Sequence, residues 1–220
     1  MKITQTCLSV GAIAALVAVA AGCTSDGREP SARGEGRSTV GAACENGTYA
    51  WFNTHERDVL TGVAEKQTLG PGGGTLTHRL RPLHTPRTAV TFERGPQAGA
   101  ETALRSLGAH LGDPEAADGN GYEFADVRRA APALSKNSTG VDGAGTFVDY
   151  AWVRQVTADF RYTCGDGTHV TGRATSWTIN GSGVLECSEP AGNVKEHTPG
   201  LEAARLSCGP DAPAAEAKRT

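Results

Sequence analysis

The sequence predicts a mainly β fold, an antiparallel sandwich-like or α+β domain with one or two helices packed on it. Two observations carry most of that expectation. The stretch "TFVDYAWVRQVTADFRYTC" alternates strictly: every second residue from Val148 to Cys164 is apolar or aromatic, apart from Arg154. The intervening set past Val153 is Gln155, Thr157, Asp159, Arg161 and Thr163, the signature of a strand with one buried face. After "CGDG", the run "THVTGRATSWTIN" is again rich in Thr and Val. A strand so much longer than average predicts a bulge or bend near Arg154. The dipeptide in "NGSG", residues 180–183, reads as a further turn leading into "VLECS", which makes the three segments an antiparallel meander.

Upstream, "GTYAWFN" (47–53), "DVLTGV" (58–63), "TLTHRL" (75–80) and "RTAVTFE" (87–93) are strand candidates, with "GPGGG" as a loop between the second and third. In the first of them, alternation puts Tyr49, Trp51 and Asn53 on one face and Phe52 on the other. "AGAETALRSLGAHLG" reads as a helix, with Leu104, Leu107 and Leu111 on one face at spacings of three and four. A shorter helix is expected from Pro199 to Leu206. Thr198 is placed to cap it, Pro199 needs no N–H in the first turn, and Cys208 lies just beyond the end.

The ends of the chain read differently. Lys2 and an apolar run over residues 8–21 form a secretory signal, too short at about 14 residues to span a bilayer. It closes on "VAAGC", small residues immediately before Cys23, although Ala20 stands where such signals usually carry Leu. The expected organisation is a lipoprotein signal peptide over 1–22, acylated Cys23 with a flexible tether over 23–42, a disulfide-linked β-rich domain over 43–208, and a disordered tail over 209–220. The Gly-, Ser- and Arg-rich tether corresponds to a coil of about 25 Å.

Four cysteines follow the anchor: Cys44, Cys164, Cys187 and Cys208. An even number in an exported chain predicts two disulfides, and three connectivities are open. The expected pairing is Cys164–Cys187, closing a local β-unit, with Cys44–Cys208 tying the ends of the domain together.

The lipobox-like signal and the "TC…GRATSW…GVLEC" stretch resemble envelope lipoproteins of actinobacteria, a group without an established activity. The resemblance implies attachment to the extracytoplasmic face of the cell membrane through palmitoyl-type acyl chains on Cys23. It transfers no catalytic residue.

Chemistry is sparse. The net charge of −3 carries no basic footprint for nucleic acid. "CGDGTH", Cys164 to His169, gathers a thiol, a carboxylate and an imidazole, but an oxidised Cys164 is neither ligand nor nucleophile. The stretch reads as a hairpin turn with His169 exposed beside Thr171 and Arg173. It is echoed by "CENGTY" from Cys44. No nucleophile elbow, Ser-x-x-Lys, Cys-x-x-Cys or phosphate loop occurs. His55, His78, His84, His110 and His197 fit no zinc spacing. "DPEAADGNGYEF" offers Asp113, Glu115, Asp118, Asn120 and Glu123 without the EF-hand order.

No cofactor, metal or catalytic residue is therefore assigned. The expected function is a membrane-anchored binding or structural component of the cell envelope, partnered by an envelope protein or wall polymer. The alternative is a secreted cell-envelope hydrolase using dispersed carboxylates among Asp142, Asp149, Asp159 and Glu186. It requires two of them to face each other in a cleft, one with a raised pKa.

Overall fold

The computed structural model describes residues 44, 46–93, 98–113, 123–134, 139–191 and 198–217. The signal, Cys23, the tether, His197 and most of the acidic loop lie outside these residues. The described part is mainly β and antiparallel, with two helices. It comprises β1 (Thr48–Val63), β2 (Gln67–Leu69), β3 (Gly74–Leu76), β4 (Arg81–Pro82), β5 (Ala89–Phe92), α1 (Ala100–His110), β6 (Thr139–Val141), β7 (Gly145–Thr163), β8 (His169–Glu186) and α2 (Pro199–Ser207). Short 3-10 turns occupy Glu123–Ala125 and Pro213–Ala215.

The principal sheet is ordered β4-β1-β7-β8-β5, with β2 also on β7; β3 and β6 form a separate ribbon. The central strand is β7. It pairs along one edge with β1 from Thr48↔Thr163 to Val63↔Tyr150, then with β2 from Gln67↔Phe147 to Leu69↔Gly145. Along its other edge it pairs with β8 from Phe147↔Glu186 to Thr163↔His169. The register shift expected near Arg154 falls between Val153 and Gln155. The two upstream strand candidates merge into one, β1, interrupted between Phe52 and His55 where Asn53 takes φ 50. That irregularity turns Asn53 away from Tyr49 and Trp51, and its side-chain amide donates to Asp159 at 3.0 Å.

Val156, Ala158, Phe160 and Tyr162 are buried on one face of β7, together with Leu104 and Leu107 of α1. Phe160 is ringed by Trp51 at 5.2 Å, Phe92 at 5.5 Å and Tyr49 at 5.6 Å between ring centroids. Aromatic rings at such separations add to the area they bury. On the same face, further along, Val148 packs with Leu60, Val63 and Ala203 of α2. The opposite face of the C-terminal half carries Gln155, Thr157, Asp159 and Arg161, as the alternation requires. Trp177 is buried under the guanidinium of Arg129, 3.3 Å from its ring centroid.

The "NGSG" segment does not turn. β8 runs unbroken through residues 180–183. Gly181 lies opposite Trp152 and Gly183 opposite Tyr150. A Cβ on Gly181 would meet Trp152 Cε2 at 2.6 Å, and one on Gly183 would meet Tyr150 Cζ at 2.5 Å. The glycines are thus required by two aromatic rings lying across the neighbouring strand, and the meander becomes one long hairpin.

This correction changes the disulfides. The bonds are Cys44–Cys164 and Cys187–Cys208, not the pairing expected from the sequence. Cys164 and Cys187 bracket a single extended strand, so they lie on the order of 60 Å apart at roughly 3.3 Å per residue. Thr48 and Thr163 are ladder partners, which brings Cys44 beside Cys164. Cys208 ends α2 next to Cys187, where β8 finishes. Thr198 is the N-cap residue of α2 but makes no side-chain cap hydrogen bond. The expected disordered tail is also corrected as far as residue 217. Ala214 and Ala215 are buried against Ala204, and Ala214 donates its N–H to the Cys187 carbonyl at 3.2 Å.

Peptide mapping without reduction should therefore recover Cys44 linked to Cys164 and Cys187 linked to Cys208. The separations of 120 and 21 residues correspond in chain-entropy terms to about 5 and about 3 kcal/mol. Removing the first bond by paired Cys→Ala substitution should accordingly lower stability more than removing the second, as read by chemical denaturation.

Candidate functional site

The turn at "CGDGTH" is closed by its own backbone. Cys164 N–H donates to Thr168 O at 2.8 Å, and Gly167 N–H to Cys164 O at 3.0 Å. Asp166 Oδ1 accepts from the Thr168 N–H and hydroxyl at 2.9 and 2.6 Å. Gly167 alone in the turn takes positive φ, 82°. This is a three-residue loop with a bulge glycine, and His169 is exposed at the start of β8. The thiol is in a disulfide, the carboxylate holds the turn and the imidazole points to solvent, so the stretch is structural. The echo at "CENGTY" plays another part. Gly47 N–H donates to Tyr162 Oη at 2.9 Å, and Tyr162 donates to Cys44 O at 3.0 Å. The disulfide then ties the two echoed segments to each other.

The four carboxylates are dispersed. Asp142 is exposed before β7. Asp159 accepts from Arg173 at 2.7 Å and from Asn53, which holds it below the usual carboxylate range. Asp149 is buried, and that burial pushes its pKa up. It is separated from Asp159 by ten residues of extended strand, about 33 Å. Glu186 accepts from Ser188 at 2.7 Å, and a Cβ on Gly145 would lie 2.8 Å from its Oε1. Its carboxylate is thus turned along the sheet toward residue 145, away from Asp149. The cleft with two facing carboxylates that hydrolysis needs is not formed by these four.

Among the described residues no group of three or more His, Cys, Asp or Glu side chains is arranged to hold a metal ion. His78 Nδ1 lies 3.0 Å from the Glu65 carbonyl, and Glu123 pairs with Arg129 at 2.7 Å.

What the structure does assemble is a groove of about 430 Å³ at the α2 end of the sheet. Its floor is Tyr150 and Trp152; Leu185, Pro190, Pro199 and Leu201 form apolar walls. That volume lies in the range of small-ligand sites. Three glycines make it. Gly181 and Gly183 let the rings lie across β8, and Gly200, in the first turn of α2, passes where a Cβ would sit 3.1 Å from Tyr150 Oη. Burial raises the Tyr150 pKa. Arg154, on the same face, is held by Asp58 through Nε at 2.8 Å and an Nη at 3.2 Å, with its guanidinium 6.0 Å from the Trp152 centroid. Asp58, Glu186 and Glu189 line the opening. The sequence alternation places Trp152 on the buried face of its strand. The signal that marks it otherwise is the pairing of two aromatics with two glycines across a ladder, which needs the register to be seen.

Compared with protein-family models, with curated proteins and with solved structures, the chain matches none. Two disulfides indicate a non-cytoplasmic location. Among the described residues no helix is long and apolar enough to cross a membrane.

Gly183→Ala should force Tyr150 off β8 and cost about 1–3 kcal/mol, the range for overpacking, with altered tryptophan fluorescence as the groove deforms. Asp149 gives a pH test. Its raised pKa means the folded state favours the neutral carboxyl. The associated stability is present below the unfolded pKa and is lost as pH rises through the folded one. Asp149→Asn should thus melt higher than wild type at pH 7, with the difference shrinking toward pH 4. Asp159 acts with the opposite sign in both proteins and cancels from the comparison.

Proposed function

We propose that the chain is a lipid-anchored binding component of the cell envelope, acylated at Cys23 and displayed on the extracytoplasmic face of the membrane. The groove floored by Tyr150 and Trp152 is its ligand site. Its partner is an envelope protein or a wall polymer. The signal-like N-terminus, the acylation-type "VAAGC" and the two disulfides support the location. An acyl anchor of two chains is enough for stable attachment.

The observation that carries the reading is the placement of the groove along the sheet. Cys44, where the tether would join the domain, is bonded beside the end of β7 at Cys164. Tyr150 lies 13 residues back along the same strand, about 43 Å away. A domain tethered at one end and carrying its cavity at the other presents that cavity away from its attachment point. Such a division suits recognition.

Two measurements test this. The intact mass of protein from the membrane fraction should correspond to a chain beginning at Cys23 with acyl groups added, its four remaining thiols blocked until reduction; an unacylated chain overturns the anchor. A photo-crosslinking residue at Glu189, on the groove, should give a discrete adduct in cells. The same residue at Arg161, exposed near the tethered end, should not. Equal labelling from both positions, or none from either, overturns the assignment of the groove.

A further inference from the structure

Resting on the binding reading above, the geometry points to the class of ligand: we infer that the groove takes an alkylammonium group, such as the lysine side chain of a peptide, over Tyr150 and Trp152 and against Glu189.

Charge is the first reason. The described lining contains Asp58, Glu186 and Glu189 and no Lys, Arg or His. Asp58 is already neutralised by the two hydrogen bonds from Arg154. Glu186 turns its carboxylate toward Ser188 and residue 145, outside the groove, and Glu189 is exposed at the opening. Among the described lining residues the Glu189 carboxylate therefore has no counter-charge, which disfavours an anionic ligand.

The floor is the second reason. Both rings lie across glycine backbone, with three ring atoms of Trp152 within 2.7 Å of the position a Cβ would take on Gly181. One face of each ring is thereby covered by the strand, and both rings line the groove. Aromatic faces carry negative potential and attract ammonium groups, Trp most strongly. Arg154 beside Trp152 already has its charge answered by Asp58, so it leaves that potential largely intact.

Shape is the third. About 430 Å³ is far more than a bare ion needs, and Leu185, Pro190 and Pro199 offer apolar wall. A methylene stem ending in a cation uses both surfaces, the stem against the walls and the charge at the acidic opening. A neutral saccharide would use the rings but leave the Glu189 carboxylate uncompensated.

The test uses the full-length chain in detergent, titrated with acetyl-Ala-Lys-Ala-amide and with its twin acetylated on the lysine amine, which keeps the stem and removes the charge. The lysine peptide should bind about tenfold tighter, combining one exposed ion pair with one cation–aromatic contact. Its affinity should fall with added salt. Glu189→Gln, an exposed change that leaves the fold intact, should cost about threefold for the lysine peptide and nothing for the twin. Equal binding of both peptides overturns the inference about charge while leaving the groove a binding site. Binding of neither overturns the ligand class, and the crosslink at position 189 then decides separately whether the groove is a site at all.

Discussion

Everything in this domain depends on β7 being paired along both edges for nearly its whole length. Its 19 residues form a ladder with β1 and β2 on one side and β8 on the other. A strand that long accumulates twist. The irregularities at Phe52/His55, Leu60/Gly62 and Val153/Gln155 fall in the middle of the ladder, where a bulge adds local twist and lets each half meet a different helix. One face of β7 thus serves two cores: Phe160 and its rings under α1, Val148 and its neighbours under α2. The disulfides then fasten the extremities, Cys44–Cys164 where β1 begins and Cys187–Cys208 where β8 ends.

Glycine and aromatic residues divide the remaining labour. Gly47 is needed where the chain crosses the Tyr162 ring, since a Cβ there would approach Cζ to 2.4 Å. Gly181 and Gly183 are needed beneath Trp152 and Tyr150. In the first case the aromatic side chain anchors the start of β1 through two hydrogen bonds. In the second the rings become the floor of a groove. The same pairing of ring and glycine therefore builds a structural lock at one end of the sheet and a candidate site at the other.

The electrostatics follow the same division. At the exposed end Asp159, Arg173 and Asn53 satisfy one another on the open face of the sheet, and such surface pairs contribute little to stability. Toward the α2 end Asp58 holds Arg154, and Asp149 is buried. At the groove, Glu189 lies in the loop after β8, while Glu186, closing the strand, turns its carboxylate toward Ser188 and residue 145.

The sequence by itself determined the class of fold, the buried face of β7, the position of its bulge and both helices, because each follows from local periodicity of two or 3.6 residues. It also determined that "CGDGTH" is a turn and that the four cysteines are oxidised. Tertiary structure alone decided which cysteines pair, that "NGSG" continues a strand, that residues 213–215 pack, and that Trp152 faces a groove. The reason is common to all four. Asn-Gly is a turn signal only when no neighbour competes, and here the rings of Tyr150 and Trp152 occupy the space above Gly181 and Gly183 from about 30 residues away in the chain. Once the ladder register is fixed, an extended β8 separates Cys164 from Cys187, delivers Cys187 to α2 and opens the groove between them. No local window contains that register, because it is set by packing between segments distant in sequence.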